Sequence, residues 1–199
     1  MKLVLVGGQS RNIGKTSVMA GLIQAFPQYL WTAIKLTLFG HNICTQSGKV
    51  CDCAIAQHPY LITQEQHRTT GTDTSRYLAA GAAQAFWARV HQQELETALP
   101  ALQAIIQGQA YVIVESNSLR QFITPDLYLQ VIAPNVTDVK LSAQRLLDLA
   151  DAYLVVTDST APVNHTLKLS AGRPRFYISP AQAFISPELI QFVKARLQL

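Results

Sequence analysis

The sequence predicts an α/β protein, a three-layer α/β/α arrangement around a mostly parallel sheet. Three observations carry that reading. Short continuous apolar runs such as "KLVLVGG", "AYVIVES" and "AYLVVT" recur along the chain, as expected of strands buried on both faces. Segments of helical apolar spacing separate them, and strands that alternate with helices imply parallel crossovers. A glycine-rich turn joins the first run to the first helical segment.

Taken in order, "KLVLVGG" is the first strand. In "KTSVMAGLIQAF", Val18, Leu22 and Ala25, flanked by Met19, Ile23 and Phe26, form a helical apolar face, and Pro27 ends the helix. "LWTAIKLT" reads as a second strand. Residues 37 to 72 are polar, glycine-bearing and irregular, and they hold all three cysteines. A loop of that length inside a compact fold is usually functional. "DTSRYLAAGAAQAFW" reads as a helix turning at Gly81 into a strand near Ala85–Val90. "QQELETALPALQAIIQ" is helical, with Pro100 a kink or a break. "AYVIVES" and "DLYLQVIA" are strands, and "KLSAQRLLDLA" is a helix. "DAYLVVTD" and "RPRFYIS" are strands before a final helix, "SPELIQFVKARL", with Ser186 as N-cap and Pro187 at its first position.

At 199 residues the chain suits one domain able to bury a full core. A composition 49% hydrophobic and 14% charged reads as compact and not disordered. No apolar run is long enough to cross a bilayer, and no signal region opens the chain, so a cytoplasmic location and no membrane partner are expected. The formal net charge is +4 and the sequence pI about 9.1. The basic residues are scattered singly, and no strand carries the aromatic pattern of an RNA-binding sheet, so nucleic acid is not the expected partner. A modest positive surplus suits a polyphosphate ligand.

The stretch "VGGQSRNIGKTS" supplies the chemistry for such a ligand. The common phosphate-binding loop reads G-x-x-x-x-G-K-[ST]; counting back from Gly14, that spacing falls on Gln9, and Gly8 lies one residue further out. The loop is therefore one residue longer than usual. Glycines let backbone amides turn toward phosphate oxygens, and the following helix adds its free N–H groups and dipole. Lys15 is expected to reach terminal phosphates and the Thr16 hydroxyl to ligate Mg²⁺. The expected nucleotide-binding residues are Gly8, Gln9, Ser10, Arg11, Asn12, Ile13, Gly14, Lys15, Thr16 and Ser17. Arg11 and Asn12 equally suit a solvent-facing loop.

The longer loop resembles the G-x-x-x-x-x-G-K-[ST] form of dethiobiotin synthetase and the cobyric acid synthase group. That likeness points to the branch of P-loop NTPases that also holds the metallochaperone GTPases and the molybdopterin-guanine dinucleotide biosynthesis adaptor family, MobB. "AIKLT" ends the second strand with Lys35, similar to a lysine in the MobB and dethiobiotin synthetase families. "TDTSRYLAAGA", with Asp73, Ser75, Arg76, Ala80, Gly81 and Ala82, looks like a MobB pattern at the next helix. "VIVES" sets Glu115 at a strand tip, where both families carry an acid. The likeness covers much of residues 1 to 120. MobB proteins usually have the shorter loop, and the family offers no match for the cysteine segment.

A bound triphosphate needs Mg²⁺, which prefers hard oxygen ligands; Thr16, Asp73 and Glu115 are the expected ones. Glu115 lies at the carboxyl edge of the sheet, where parallel sheets bind ligands. Asp73 equally suits an N-cap or first-turn acid. Lys35 is expected to place a second positive charge near a terminal phosphate or a substrate carboxylate, or else to snorkel to solvent. Lys15, Lys35 and Glu115 are the expected catalytic set. In "GHNICTQSGKVCDCAIAQHPY", Cys44, Cys51 and Cys53 with His58 are expected to hold Zn²⁺, with His41 as a substitute. The spacing is not a familiar zinc signature, and three incidental cysteines are the alternative. "VVTDSTAPVN" is expected to line the base pocket. No Asn-Lys-x-Asp motif appears, so the base, GTP or ATP, stays open.

The resemblance implies a Mg²⁺-dependent GTP- or ATP-binding protein and NTPase, acting with a small molecule or protein partner in molybdenum-cofactor maturation. Two alternatives stand beside it. One is an ATP-dependent synthetase or kinase of the dethiobiotin synthetase type, acting on a small carboxylate or amine. The other is a nucleotide-gated metallochaperone. Relatives in this branch often place nucleotides near a twofold interface, which allows a homodimer.

Overall fold

The computed structural model describes residues 1–39, 58–157, 167–179 and 185–199. Along the chain lie β1 (Lys2–Gly8), α1 (Lys15–Ala25), β2 (Thr32–Phe39), β3 (Tyr60–Gln64), α2 (Asp73–Ala79), β4 (Gln84–His91) and α3 (Leu95–Gln107). They are followed by β5 (Tyr111–Glu115), β6 (Leu127–Ile132), α4 (Leu141–Arg145), β7 (Ala152–Val156), β8 (Arg175–Ile178) and α5 (Pro187–Leu197). The described strands form one sheet in the order β3-β4-β2-β5-β1-β6-β7-β8. Every neighbouring pair is parallel except β3 with β4. The expected α/β architecture with a mostly parallel sheet is what the chain adopts.

The alternation within β1 builds the layers. Val4 and Val6 face one apolar cluster with Val18, Met19, Leu22 and Ile23 of α1 and Leu189, Val193 and Leu197 of α5. Leu3 and Leu5 face the other, with Leu95, Ala98, Leu102 and Ile106 of α3. Each β1 side chain from Leu3 to Val6 is at most 1% exposed. That is why the run reads as unbroken apolar sequence. α1 buries Val18, Met19, Leu22 and Ile23 as its spacing foretells. α5 is capped as expected, the Ser186 Oγ accepting from the Leu189 N–H at 3.2 Å with Pro187 next in line.

Three local expectations need correction. Residues 37 to 72 are not wholly irregular, because β2 continues to Phe39 and β3 lies at Tyr60–Gln64. Among the described strands β3 is an edge strand with one paired side, and of its residues Tyr60 and Ile62 pack on the core, too few to show a clear alternation. α3 runs through Pro100 from Leu95 to Gln107. The helix expected over "KLSAQRLLDLA" stops at Arg145. At Leu146 the backbone leaves helical geometry (φ −106°, ψ 4°), and a 3₁₀ turn over Leu147–Leu149 delivers the chain to β7.

The order of the strands positions the site. From β1 the chain crosses outward to β2 and β4, returns to β5 on one side of β1, then places β6 on the other. The carboxyl end of β1 is thus the point where the winding reverses, the place where sheets of this kind open a ligand crevice.

Candidate functional site

β1 ends on Gly7 and Gly8; close packing excludes a side chain at Gly7, and at Gly8 a side chain would have to displace Lys15. A Cβ on Gly7 would stand 2.2 Å from Asn117 Oδ1 and 2.3 Å from Gln130 Oε1. On Gly8 it would stand 2.6 Å from Lys15 Cδ, so the bare Gly8 backbone lets the Lys15 stem lie across the loop. The loop then turns through left-handed backbone at Asn12 (φ +55°) and Gly14 (φ +93°), conformations suited to Asn and Gly.

α1 starts at Lys15 with no side-chain cap and no acid in its first turn. Its first intrahelical bond is Val18 N–H to Gly14 O, 2.9 Å. The N–H groups of Lys15, Thr16 and Ser17 precede it and have no intrahelical acceptor. An uncapped, acid-free helix start at a reversal of the sheet is a ready site for an anion.

Four of the residues singled out in the sequence converge on Glu115, directly or through a neighbour. Lys35 on β2 and Val6 on β1 both stand level with Glu115 on β5, so the acid sits between them at the sheet's carboxyl edge. It is 7% exposed and not solvent-facing. Its Oε2 accepts from Thr16 Oγ1 at 2.9 Å and from Tyr77 Oη at 2.5 Å. Its Oε1 lies 3.5 Å from Lys35 Nζ and 4.0 Å from Lys15 Nζ. Lys35 also donates to Asp73 Oδ2. Asp73 therefore faces Lys35 and Arg76 at the start of α2, where Thr72 is the N-cap. Arg76 in turn donates to Ser17 Oγ at 2.9 Å. Lys15 Nζ donates to the Ser10 carbonyl at 2.8 Å, closing the loop on itself.

These contacts set the charges. Burial lowers the pKa of Lys15 from 10.5 to about 8; the charge of Glu115 opposes this, Lys140 and Lys35 add to it, and Asp73 opposes it again. Burial outweighs attraction here because Glu115 is 4.0 Å away and shared with other donors. Burial, then the charge of Glu115, raises the Tyr77 phenol well above its ordinary range, so it stays a donor to the carboxylate.

The extra length of the loop is tied down by a neighbouring segment, residues 133–140 between β6 and α4. Gln9, 1% exposed, donates from Nε2 to Val136 O at 2.6 Å and accepts from Ala133 N–H at 3.1 Å. Ser10 Oγ donates to Asp138 Oδ2 at 2.9 Å, and Lys140 N–H donates to Gln9 O at 2.9 Å. Beneath the loop, Asn117 brackets Gly8: its Oδ1 accepts the Gly8 N–H at 2.8 Å and its Nδ2 donates to Gly8 O at 2.9 Å.

Arg11 and Asn12 are exposed, and Ile13 is buried against the core. His58 is exposed. Cys44, Cys51, Cys53 and His41 lie outside the described residues, as does all of "DSTAPVN". Among the described residues no group of three His, Cys, Asp or Glu side chains could hold a metal ion. No described helix is long and apolar enough to cross a membrane. Sequence reasoning passed over Tyr77, Asn117, Asp138 and Lys140. Tyr77 had one usable signal, its place four residues after Asp73 on one helix face; the others act through contacts distant in sequence.

A buried parallel strand, a Gly-x5-Gly-Lys-Thr loop and an uncapped helix at the reversal of the sheet define a P-loop NTPase fold. No protein-family model matches the chain, and no curated protein matches its sequence. Among solved structures it is similar to the "apo" form of LpxK from Aquifex aeolicus in complex with ATP, at 16% identity and a TM-score of 0.48. That match covers 89% of this chain and 53% of the other, so the chain spans about half the length of that protein. It is similar to HypB from Helicobacter pylori in complex with nickel, at 14% identity and a TM-score of 0.48, over 98% of this chain and 85% of that one. A third likeness is to the MinC:MinD cell division protein complex of Aquifex aeolicus, at 13% identity and a TM-score of 0.46, covering 98% and 86%.

Proposed function

We propose that the protein binds a nucleoside triphosphate with Mg²⁺ and hydrolyses it. The observation that carries this reading is the open start of α1, with Lys15, Thr16, Lys35 and Glu115 gathered beside it. The triphosphate lies along the loop from Gly8 to Ser17, its oxygens taking amide hydrogens that the helix leaves free. Lys15 exchanges the Ser10 carbonyl for a terminal phosphate, and Lys35 adds a second ammonium from the sheet edge.

The donor set fits Mg²⁺: Thr16 Oγ1 and Glu115 Oε2 are hard oxygens already 2.9 Å apart. When bound, the ion shields phosphate charge and polarises the phosphoryl oxygens. Asp73, engaged by Lys35, orients that lysine and is the next carboxylate out. Tyr77 holds the Glu115 carboxylate in place. Hydrolysis then rests on positioning and on the charges of Lys15 and Lys35, with no nucleophilic side chain required.

The process served is molybdenum-cofactor maturation, on the likeness of "TDTSRYLAAGA" to MobB. Supporting it, Asp73 and Arg76 of that segment stand beside Lys35 and Ser17. Zinc on Cys44, Cys51, Cys53 and His58 remains part of the proposal. Its test is the metal content of the purified protein, which falls in Cys51→Ser and Cys53→Ser; a metal-free, intact wild type would remove it.

The main test is calorimetric titration of ATP and GTP with and without Mg²⁺. Wild type binds, and binding strengthens with Mg²⁺. Lys15→Ala keeps its fold and loses triphosphate binding. Equal affinity in the variant would overturn the reading.

A further inference from the structure

The segment between β6 and α4 brings a third lysine to the loop. Lys140 is pinned through its own backbone, N–H to Gln9 O at 2.9 Å. The segment before it is fastened at Gln9 Nε2 to Val136 O, at Ala133 N–H to Gln9 Oε1 and at Ser10 Oγ to Asp138. These contacts fix where the Lys140 side chain starts, beside Gln9 near the beginning of the phosphate loop. Lys140 is half-buried, and among the described residues no carboxylate closes an ion pair with it. Burial lowers its pKa, as does Arg11; Glu115 raises it, Lys35 lowers it and Asp138 raises it. Lys15 feels its charge in return. Lys15, Lys35 and Lys140 thus share one small region with Glu115 and Asp73. A half-buried ammonium with no carboxylate in ion-pair contact costs stability, and an arriving polyanion relieves that cost.

We propose that Lys140 is a further triphosphate-binding residue, delivered to the phosphate loop by the Gln9 and Ser10 contacts to residues 133–138. The ligand class is an inorganic or nucleoside polyphosphate, and the contact is an ammonium on phosphate oxygen. The inference rests on the reading of the loop as a triphosphate site. It also gives a use to the extra residue: Gln9, in place of the usual first glycine, turns a side chain away from the ligand to hold the segment that carries Lys140.

The test compares Lys140→Met, Lys140→Arg and Lys15→Ala in the full chain, titrated with ATP, GTP and inorganic tripolyphosphate, with thermal unfolding measured alongside. Lys140→Met should weaken all three ligands by roughly 10- to 100-fold, the loss of one charge-assisted hydrogen bond. Lys140→Arg should restore most of the affinity. Unchanged affinity for tripolyphosphate in a folded Lys140→Met, with or without a loss for the nucleotides, overturns the proposal. Should Lys140→Met fail to fold, Lys140→Gln reads the same ratio with a polar tip retained. If Lys15→Ala abolishes binding while Lys140→Met binds as wild type, only this inference falls. If Lys15→Ala binds normally, the triphosphate reading falls with it.

Discussion

Replacing Asn117 by Ala removes the bracket around Gly8 and shows how the phosphate loop is anchored. The side chain makes two hydrogen bonds to one residue, 2.8 Å from the Gly8 N–H and 2.9 Å to its carbonyl. Each contributes about 1 kcal/mol net, and a buried N–H left without an acceptor adds roughly 1 kcal/mol or more. The expected loss is therefore about 3 kcal/mol, or roughly 6–12 °C in Tm for a chain of this size. Gly7→Ala strikes the same cluster from the other side, since its Cβ would stand 2.2 Å from Asn117 Oδ1. In the Asn117→Ala background that nearest clash is gone. Gly7→Ala should then cost at least about 1 kcal/mol less than it does alone. Urea unfolding followed by circular dichroism, with unchanged m-values, measures all four corners of the cycle. Asn117→Ala within about 0.5 kcal/mol of wild type, or strict additivity with Gly7→Ala, would refute the argument.

Other outcomes follow from the same geometry. Gly8→Ala should spare most stability, because its nearest contact is the bendable Lys15 stem at 2.6 Å; it should weaken triphosphate binding at least about tenfold by displacing that lysine, read by calorimetry. Tyr77→Phe removes one of two donors to Glu115 Oε2 and should cost about 1–2 kcal/mol in urea unfolding. Ser186→Ala uncaps α5 and should cost about 1 kcal/mol by the same measurement. Lys15→Met should be more stable than wild type at pH 7, by at most about 3 kcal/mol. The folded pKa of about 8 lies below the unfolded 10.5, so between those values the unfolded chain holds a proton that the folded one has released. Wild-type stability from this group therefore rises with pH across that window, and the gap to Lys15→Met narrows from pH 8 upward. A gap that stays constant from pH 7 to 10 would contradict the assignment.

The strands that can be read from the sequence are those buried on both faces. Leu3 to Val6 and Val112 to Val114 leave no polar position to confuse the pattern. β3 escaped because an edge strand with one face on the core needs only Tyr60 and Ile62. The end of α4 escaped because the turn at Leu146 is set by docking of Leu146, Leu147 and Ala150 into the core, not by any Gly or Pro. Within the site, Lys15 and Thr16 were legible because they follow a glycine turn, and Glu115 because it ends a buried strand; Lys35, expected to end β2, lies inside it, four residues before Phe39, and was legible only through the family likeness. Asn117 lies just past Glu115, yet its partner is 109 residues away. Lys140 sits in a segment whose place depends on the buried side chain of Gln9. Such contacts are properties of the folded chain, and local pattern carries no trace of them.

The level pairing of Lys35 with Glu115 on adjacent strands divides the site's charges into two mechanical kinds. One opposed pair is spaced by the ladder itself and keeps its separation as long as the sheet exists. The Lys15 ammonium is carried by the first residue of α1 and the Lys140 ammonium by the segment before α4, so neither is spaced by the strand ladder and both depend on the reach of a long side chain. A visitor to this crevice thus meets a rigid anvil and two adjustable jaws, and differences in grip among ligands should originate in the jaws.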